Sequence, residues 1–155
     1  MDSSINFFFE FGEIRSLKKK LIRLWIEEVV RRNKLRTGDL NFIFVRDNKL
    51  AKLNRKHLKN NTLTDILTFS FQEEIGLISG DVYISAERVR ENAVLYKEPL
   101  VREYLRVIIH GVLHLIGFND KTEKEKKIMR LQEEECLSLY KNLEKRSGEL
   151  FHVKP

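Results

Sequence analysis

The chain has 155 residues and a formal net charge of +6, with 42% hydrophobic residues and a single cysteine, Cys136. This length fits one domain over residues 1–155 that needs no disulfide framework, and a lone thiol suits the reducing cytoplasm. No apolar run reaches the roughly 20 residues of a membrane span. The hydrophobic fraction also excludes a disordered chain.

The basic excess is concentrated in the first 60 residues. Residues 15–36 hold nine Lys and Arg against two Glu, and residues 46–61 hold six against one Asp. Such segments form a polyanion-binding face only if the fold brings them together. For charge clusters alone, the expected alternative is a solvated helix surface.

The first half of the chain predicts alternating strands and helices. Apolar residues at i+4 spacing indicate an amphipathic helix with Ser16 as its N-cap, and Asp47 is expected to cap a second helix. The predicted elements are a strand at 5–10, a helix at 16–33, a strand at 40–46 and a helix at 48–57.

The second half predicts a hairpin followed by three helices. A short connection between Gly76 and Gly80 makes the third and fourth strands antiparallel. The last helix is expected to bury Ile128, Leu131, Leu139 and Leu143, with a frayed tail after Gly148. The predicted elements are strands at 64–71 and 81–85 and helices at 86–96, 99–116 and 122–145. Together the two halves predict an α+β fold, a four-stranded mixed sheet packed with about five helices.

The helix ending at Gly117 carries the most informative cluster. From residue 104 to 116 it is apolar on almost every face, which indicates burial, yet it contains His110 and His114. This spacing places both imidazoles on one face, about 6 Å apart along the axis. Asp120 follows after a turn, so the three side chains predict a zinc site at the end of a buried helix. Taken singly, each is ordinary: a core histidine, a chance pair or a loop carboxylate.

Two charged residues precede the histidines on roughly the same helix face. Glu103 is a candidate general base or a residue that hydrogen-bonds to the metal ligands, although a surface carboxylate favoured by the helix dipole is the expected alternative. Arg106 is a candidate for binding phosphate or for pairing with Glu103. Gly111 follows His110 directly, where the His-Glu-x-x-His pattern of zinc peptidases has its catalytic glutamate. A zinc peptidase is therefore disfavoured.

Three segments support a more specific interpretation. Residues 110–120 read His-Gly-Val-Leu-His-Leu-Ile-Gly-Phe-Asn-Asp, residues 64–69 read Thr-Asp-Ile-Leu-Thr-Phe, and residues 80–85 read Gly-Asp-Val-Tyr-Ile-Ser. In order and spacing they resemble the signature segments of the YbeY family of metal-dependent endoribonucleases. The resemblance spans about residues 40–120, and the histidine segment is its specific part.

The resemblance implies a single-strand-specific endoribonuclease that matures the 3′ end of small-subunit ribosomal RNA and takes part in ribosome quality control. It implies one zinc ion per chain, held in the family by three histidines. His110 and His114 match the first two, whereas Asp120 stands in place of the third. The implied partners are single-stranded ribosomal RNA and the small subunit or its assembly factors, in the cytoplasm.

A second departure concerns RNA binding. The family commonly has an arginine where this chain has Leu58, so Arg55, Lys56 and Lys59 are the predicted substitutes. His57, Phe69 and Phe71 are candidates for stacking on unpaired bases, and the phenylalanines are equally suited to the core.

Two other functions remain open from the sequence. One is a non-enzymatic RNA-binding assembly factor with a structural zinc, in which His57 or His152 completes a closed shell of four ligands. The other is a zinc-dependent hydrolase of another substrate, which predicts no salt-sensitive binding of RNA.

Overall fold

The structure is a computed structural model that describes residues 4–58, 65–71 and 74–153, with side chains for all of these but 57, 58 and 149–153. Four strands and five helices are formed within this part of the chain. They are β1 (Ser4–Phe9), α1 (Lys19–Arg32), β2 (Arg36–Val45), α2 (Asp47–Leu58), β3 (Ile66–Ser70), β4 (Leu77–Ser85), α3 (Ala86–Leu95), α4 (Leu100–Ile116) and α5 (Glu123–Val153).

The four strands form one mixed sheet in the order β1-β2-β4-β3. β1 and β4 both pair with β2 in parallel, and β3 pairs with β4 antiparallel as its short connection predicts. The predicted α+β fold with a four-stranded mixed sheet is therefore confirmed.

The two faces of the sheet bury different helices because side chains alternate along each strand. Phe42 and Phe44 of β2 point into the main core, which they share with α1, α4 and α5. Val45 instead packs in a smaller cluster with Leu50 of α2 and Leu67 of β3. Hence α1 and α2 lie on opposite faces of the sheet.

Helix α4 is the central helix of the main core. Nine of its residues are buried, and it ends at Gly117, whose φ of 128° lies in the left-handed region that favours glycine. Gly111 faces the sheet, where an added Cβ would lie 2.7 Å from a methyl carbon of Val82 and 3.2 Å from Ile66 Cδ1. Close packing on β4 therefore accounts for the glycine inside this helix.

Several predicted boundaries are wrong by a few residues. Helix α1 begins at Lys19, and its N-cap, Lys18, makes no side-chain capping hydrogen bond, so Ser16 is not the cap. Strands β2 and β4 both begin earlier than predicted, because Arg36 and Leu77 extend their parallel pairing. Long-range pairing of this kind has no local signal in the sequence.

The predicted buried side of the last helix is only partly right, since Leu139 and Leu143 pack partly buried against the core. The remaining two positions and the predicted end of the helix are wrong. Ile128 and Leu131 are 42% and 64% exposed. Helix α5 also continues to Val153, through the segment expected to fray from Gly148 onwards. The residues that it buries are Met129, Glu133, Cys136, Leu137 and Tyr140.

The thiol of Cys136 takes no part in the site described below. It is buried, and the loss of solvent raises its pKa to about 12, so it stays protonated at neutral pH. Among the helices within the described ranges, none is long and apolar enough to cross a membrane.

Candidate metal centre

His110 and His114 lie one turn apart near the C-terminal end of α4, as their spacing predicts. Their ring centroids are 5.0 Å apart with the ring planes at 72°. Both side chains are partly exposed, at 18% and 26%, although most of this helix is buried. The rings therefore lie at the margin of the core, where a solute can reach them.

Asp120 joins the two histidines because the chain reverses at Gly117. The amide of Phe118 donates to the carbonyl of Leu113 at 3.0 Å, which closes the helix end and returns the chain toward the histidine face. Asp120 Oδ2 is 3.3 Å from His110 Nε2, and Oδ1 is 3.2 Å from His114 Nε2. One atom from each of the three residues lies within 4.8 Å of the other two.

The chemistry of these donors fits a zinc ion. Two imidazole nitrogens and one carboxylate oxygen are accepted zinc ligands, and three protein ligands are typical of catalytic sites. The Asp120 side chain is 36% exposed, so the trio borders solvent. Compared with a third imidazole, the carboxylate makes the site less positive by one charge.

A further residue, Glu133 of α5, contacts the trio and was not predicted from the sequence. Its Oε2 is 2.6 Å from His110 Nδ1, and its Oε1 accepts a hydrogen bond from Arg106 Nη1 at 3.1 Å. The sequence could have indicated Glu133 through its spacing along α5, because it lies on the same helix face as the buried residues Met129 and Tyr140. A carboxylate at a buried helix position indicates a specific partner.

The surroundings of His110 favour its protonated form. Burial opposes the charge, but the hydrogen bond and negative charge of Glu133, together with Asp120 and Asp65, outweigh burial and raise the pKa of His110. A cluster of carboxylates around an imidazole attracts positive charge of any kind, a proton or a metal cation.

Glu103 lies in the first turn of α4 and is only 3% exposed, so the expected surface position is wrong. Burial is the main cause that raises its pKa to about 7, against the opposing charge of Arg106. Its Oε1 has no hydrogen-bond partner among the described residues, and Arg106 Nε is 3.5 Å away. Glu103 precedes His110 by two helical turns, about 10 Å along the axis. Its role as a catalytic base stays a prediction.

Arg106 contacts carboxylates of α5. Nη1 and Nη2 donate to Glu133 at 3.1 Å and to Glu134 at 3.2 Å, and the side chain is 22% exposed. These contacts occupy the guanidinium and neutralise its charge locally. A direct catalytic role of Arg106 on a phosphate stays a prediction, and the contacts favour a positioning role instead.

The two basic segments do not form one continuous face, since α1 and α2 lie on opposite sides of the sheet. Arg55 and Lys56 are exposed near the end of α2, and Lys59 lies outside the described residues. The chain re-enters the described part at Asp65, whose charge acts on His110. Helix α1 lies on the same side of the sheet as α4, whereas α2 lies across the sheet and is separated from Asp65 by residues outside the described ranges.

The aromatic residues expected to stack on bases fall into different environments. Phe69 is half-buried and meets the edge of Tyr83 at a centroid distance of 5.8 Å, whereas Phe71 is 42% exposed. The side chain of His57 lies outside the described residues. Phe71 remains the more accessible candidate of the two phenylalanines.

Comparison with known proteins identifies the family to which this chain is similar. The family model described as Endoribonuclease YbeY matches residues 9–141. A protein named endoribonuclease YbeY from Amoebophilus asiaticus is 43% identical over 131 residues, which cover 84% of this chain and 89% of that protein. Another of the same name from Cytophaga hutchinsonii is 40% identical over 140 residues, covering 90% and 98% respectively.

A solved structure supports the fold independently. The solution structure of a Thermotoga maritima protein superposes with a TM-score of 0.56 at 26% sequence identity, over 89% of this chain and 92% of that chain. The family match spans strands β2, β3 and β4, the histidine helix and most of α5, and the relatives are covered over 89% and 98% of their lengths. The chain therefore belongs to the YbeY family of endoribonucleases.

Proposed function

We propose that this protein is a zinc-dependent endoribonuclease specific for single-stranded RNA. Membership of an endoribonuclease family supports the reaction, hydrolysis of an RNA phosphodiester. The observation that carries the metal dependence is the convergence of His110, His114 and Asp120 at the end of α4. No comparable support exists for a peptidase, because Gly111 occupies the place of the catalytic glutamate.

The donor atoms suggest how the site works. A zinc ion held there supplies a Lewis acid that lowers the pKa of water and polarises a phosphoryl oxygen. His110 and His114 hold the ion through nitrogen, and Asp120 contributes oxygen and negative charge. The exposed side of Asp120 leaves room for a phosphate to approach.

Substrate binding is assigned to the basic residues on the α2 side of the sheet. Arg55 and Lys56 are exposed there, and we propose that they and Lys59 attract the RNA backbone. Phe71 is exposed at the end of the neighbouring hairpin strand and is suited to stack on an unpaired base.

We propose that the biological substrate is small-subunit ribosomal RNA, whose 3′ end the enzyme matures in the cytoplasm. The same activity on defective subunits would serve ribosome quality control, with the small subunit or its assembly factors as partners. The family relationship is what supports this assignment.

The variant His114→Ala tests the function. We expect loss of bound zinc and at least a hundredfold loss of cleavage of a single-stranded ribosomal RNA fragment, with an unchanged circular dichroism spectrum. Glu135→Gln, a change at an exposed position of α5, is the control and should retain both properties. Full cleavage by folded, zinc-free His114→Ala would contradict the proposal. If the wild type binds both zinc and RNA but does not cleave the RNA, the result would favour a non-enzymatic assembly factor.

A further inference from the structure

Glu133 occupies a position that the packing of α5 reserves for apolar side chains. Only 7% of the residue is exposed, and its buried neighbours along the helix are Met129, Cys136, Leu137 and Tyr140. Burying a carboxylate is unfavourable unless charged or hydrogen-bonding partners compensate. The partners of Glu133 therefore indicate what the residue is for.

Both carboxylate oxygens of Glu133 are engaged, and one of them contacts the metal-binding cluster. Oε2 lies 2.6 Å from Nδ1 of His110, slightly shorter than the roughly 2.7–2.9 Å typical of a charge-assisted N–H···O hydrogen bond. An Nδ1–H that donates to Glu133 leaves the lone pair of Nε2 free. Nε2 is the atom that faces Asp120, at 3.3 Å.

The second oxygen, Oε1, is held by Arg106, which is itself fixed by another carboxylate. Arg106 Nη1 donates to Oε1 of Glu133 at 3.1 Å, while Nη2 donates to Glu134 at 3.2 Å. Arg102 donates to the other oxygen of Glu134 at 2.9 Å. The ion pairs between α4 and α5 thus fix the orientation of the Glu133 carboxylate toward His110.

We propose that Glu133 is a positioning residue of the metal centre and that Arg106 orients it. Glu133 selects the His110 tautomer with hydrogen on Nδ1, fixes the plane of the ring and so presents Nε2 to the metal. This inference rests on the proposed metal-binding role of the trio. It makes α5, which supplies no ligand from its described side chains, part of the metal site.

The test compares Glu133→Ala and Glu133→Gln with the control Glu135→Gln. Carboxylates that orient a ligating histidine typically contribute 10- to 100-fold to metal affinity. We expect the Kd for zinc, measured by competition with a chromophoric chelator, to rise roughly 10- to 100-fold in Glu133→Ala. The rise should be smaller in Glu133→Gln, since the amide oxygen still accepts from Nδ1–H. The control should match the wild type.

A second readout does not depend on the metal. In metal-free protein, at a pH high enough for the His110 imidazole to be neutral, the nitrogen chemical shifts of the ring report which nitrogen carries the proton. We expect the wild type to hold hydrogen on Nδ1, and Glu133→Ala to populate the other tautomer. A residue that only stabilises the fold would leave the tautomer of His110 unchanged.

The outcomes separate this inference from the proposed function. Zinc affinity within twofold of the wild type in both Glu133 variants would overturn the inference, and so would an unchanged tautomer. If Glu133→Ala does not fold, the Kd and the tautomer of Glu133→Met decide, because methionine fills a similar volume among the apolar neighbours and offers no carboxylate to Nδ1–H. If His114→Ala also retains zinc, the trio is not the metal site and the proposed function fails, whereas the tautomer measurement still decides the role of Glu133.

Discussion

Helix α5 makes two contacts with the rest of the core, and they are built from different side chains. Toward α1 the buried part of the contact is almost wholly apolar, with a hydrogen bond of 2.7 Å from the Trp25 indole to the carbonyl of Cys136. An exposed ion pair between Lys18 and Glu144, at 2.9 Å, joins the start of α1 to α5. Toward α4 the contact contains Glu133, Arg106 and His110, all joined by hydrogen bonds. The contact with α1 stabilises the fold by burying apolar area. The contact with α4 buries charged side chains beside the metal-binding cluster.

This difference separates residues that support the fold from residues that support the site. A substitution in the apolar contact should lower stability and leave zinc affinity unchanged. A substitution in the polar contact should change zinc affinity or the dependence of stability on pH. The following variants test this division, from the largest expected effect to the smallest.

Trp25→Ala should cause the largest loss of stability. Trp25 is fully buried and packs edge-on against Tyr140 at a centroid distance of 5.0 Å. Replacing a buried tryptophan by alanine typically costs about 3 to 5 kcal/mol, because the cavity is only partly filled by relaxation. Urea denaturation measures this loss. The folded fraction of Trp25→Ala should bind zinc with the affinity of the wild type. A large decrease in zinc affinity would show that a change in the contact with α1 also disturbs the contact with α4.

Glu103→Gln should change how stability depends on pH. Burial raises the pKa of Glu103 from 4.5 to about 7, so the folded state binds this proton more tightly than the unfolded chain. Its contribution to stability is therefore complete below pH 4.5 and is lost as the pH rises through 7.

The neutral glutamine removes this loss. We expect Glu103→Gln to gain about 2 kcal/mol relative to the wild type between pH 5 and pH 8, measured as the free energy of unfolding in urea. The control Glu135→Gln, at an exposed position, should show the same change in the free energy of unfolding between these two pH values as the wild type. Parallel pH curves for Glu103→Gln and the wild type would mean that the carboxyl titrates normally.

Two glycine-to-alanine variants provide the smallest and most closely matched comparison. At Gly111 the new methyl group would meet Val82 at 2.7 Å, whereas at Gly148, also within a helix, no described atom outside its own helix backbone and chain neighbours lies within 4 Å. Overpacking costs about 1 to 3 kcal/mol and exceeds or cancels the helix-propensity gain of about 1 kcal/mol at Gly111. We expect Gly111→Ala to lower the melting temperature and Gly148→Ala to raise it slightly. A stabilised Gly111→Ala would show that α4 does not pack tightly on β4.

Local patterns in the sequence predicted the elements and the trio of the site. The i, i+4 spacing of His110 and His114 and the glycine at position 117 fix a geometry within a few turns of chain, so the prediction needed no tertiary information. The strands were found for the same reason, since alternation along β2 reflects one buried face, with Leu40, Phe42 and Phe44, and one partly buried face, with Asn41 and Ile43.

What the sequence did not predict depends on contacts between distant segments. Glu133 interrupts the apolar stripe of α5, so the pattern favoured the side with Ile128 and Leu131, which is exposed. The burial of Glu103 and the separation of α1 from α2 likewise depend on which distant segments pack together. These features become visible only when the fold is known.

The central claim is that the trio at the end of α4 holds the metal on which RNA cleavage depends. Its most direct test is to titrate zinc into metal-stripped protein while following both bound zinc and cleavage of a single-stranded ribosomal RNA fragment. We predict that cleavage rises in proportion to bound zinc, saturates at one ion per chain and is absent at every zinc concentration in folded His114→Ala. Full cleavage before any zinc is bound, or saturation of zinc binding without cleavage, would contradict the account.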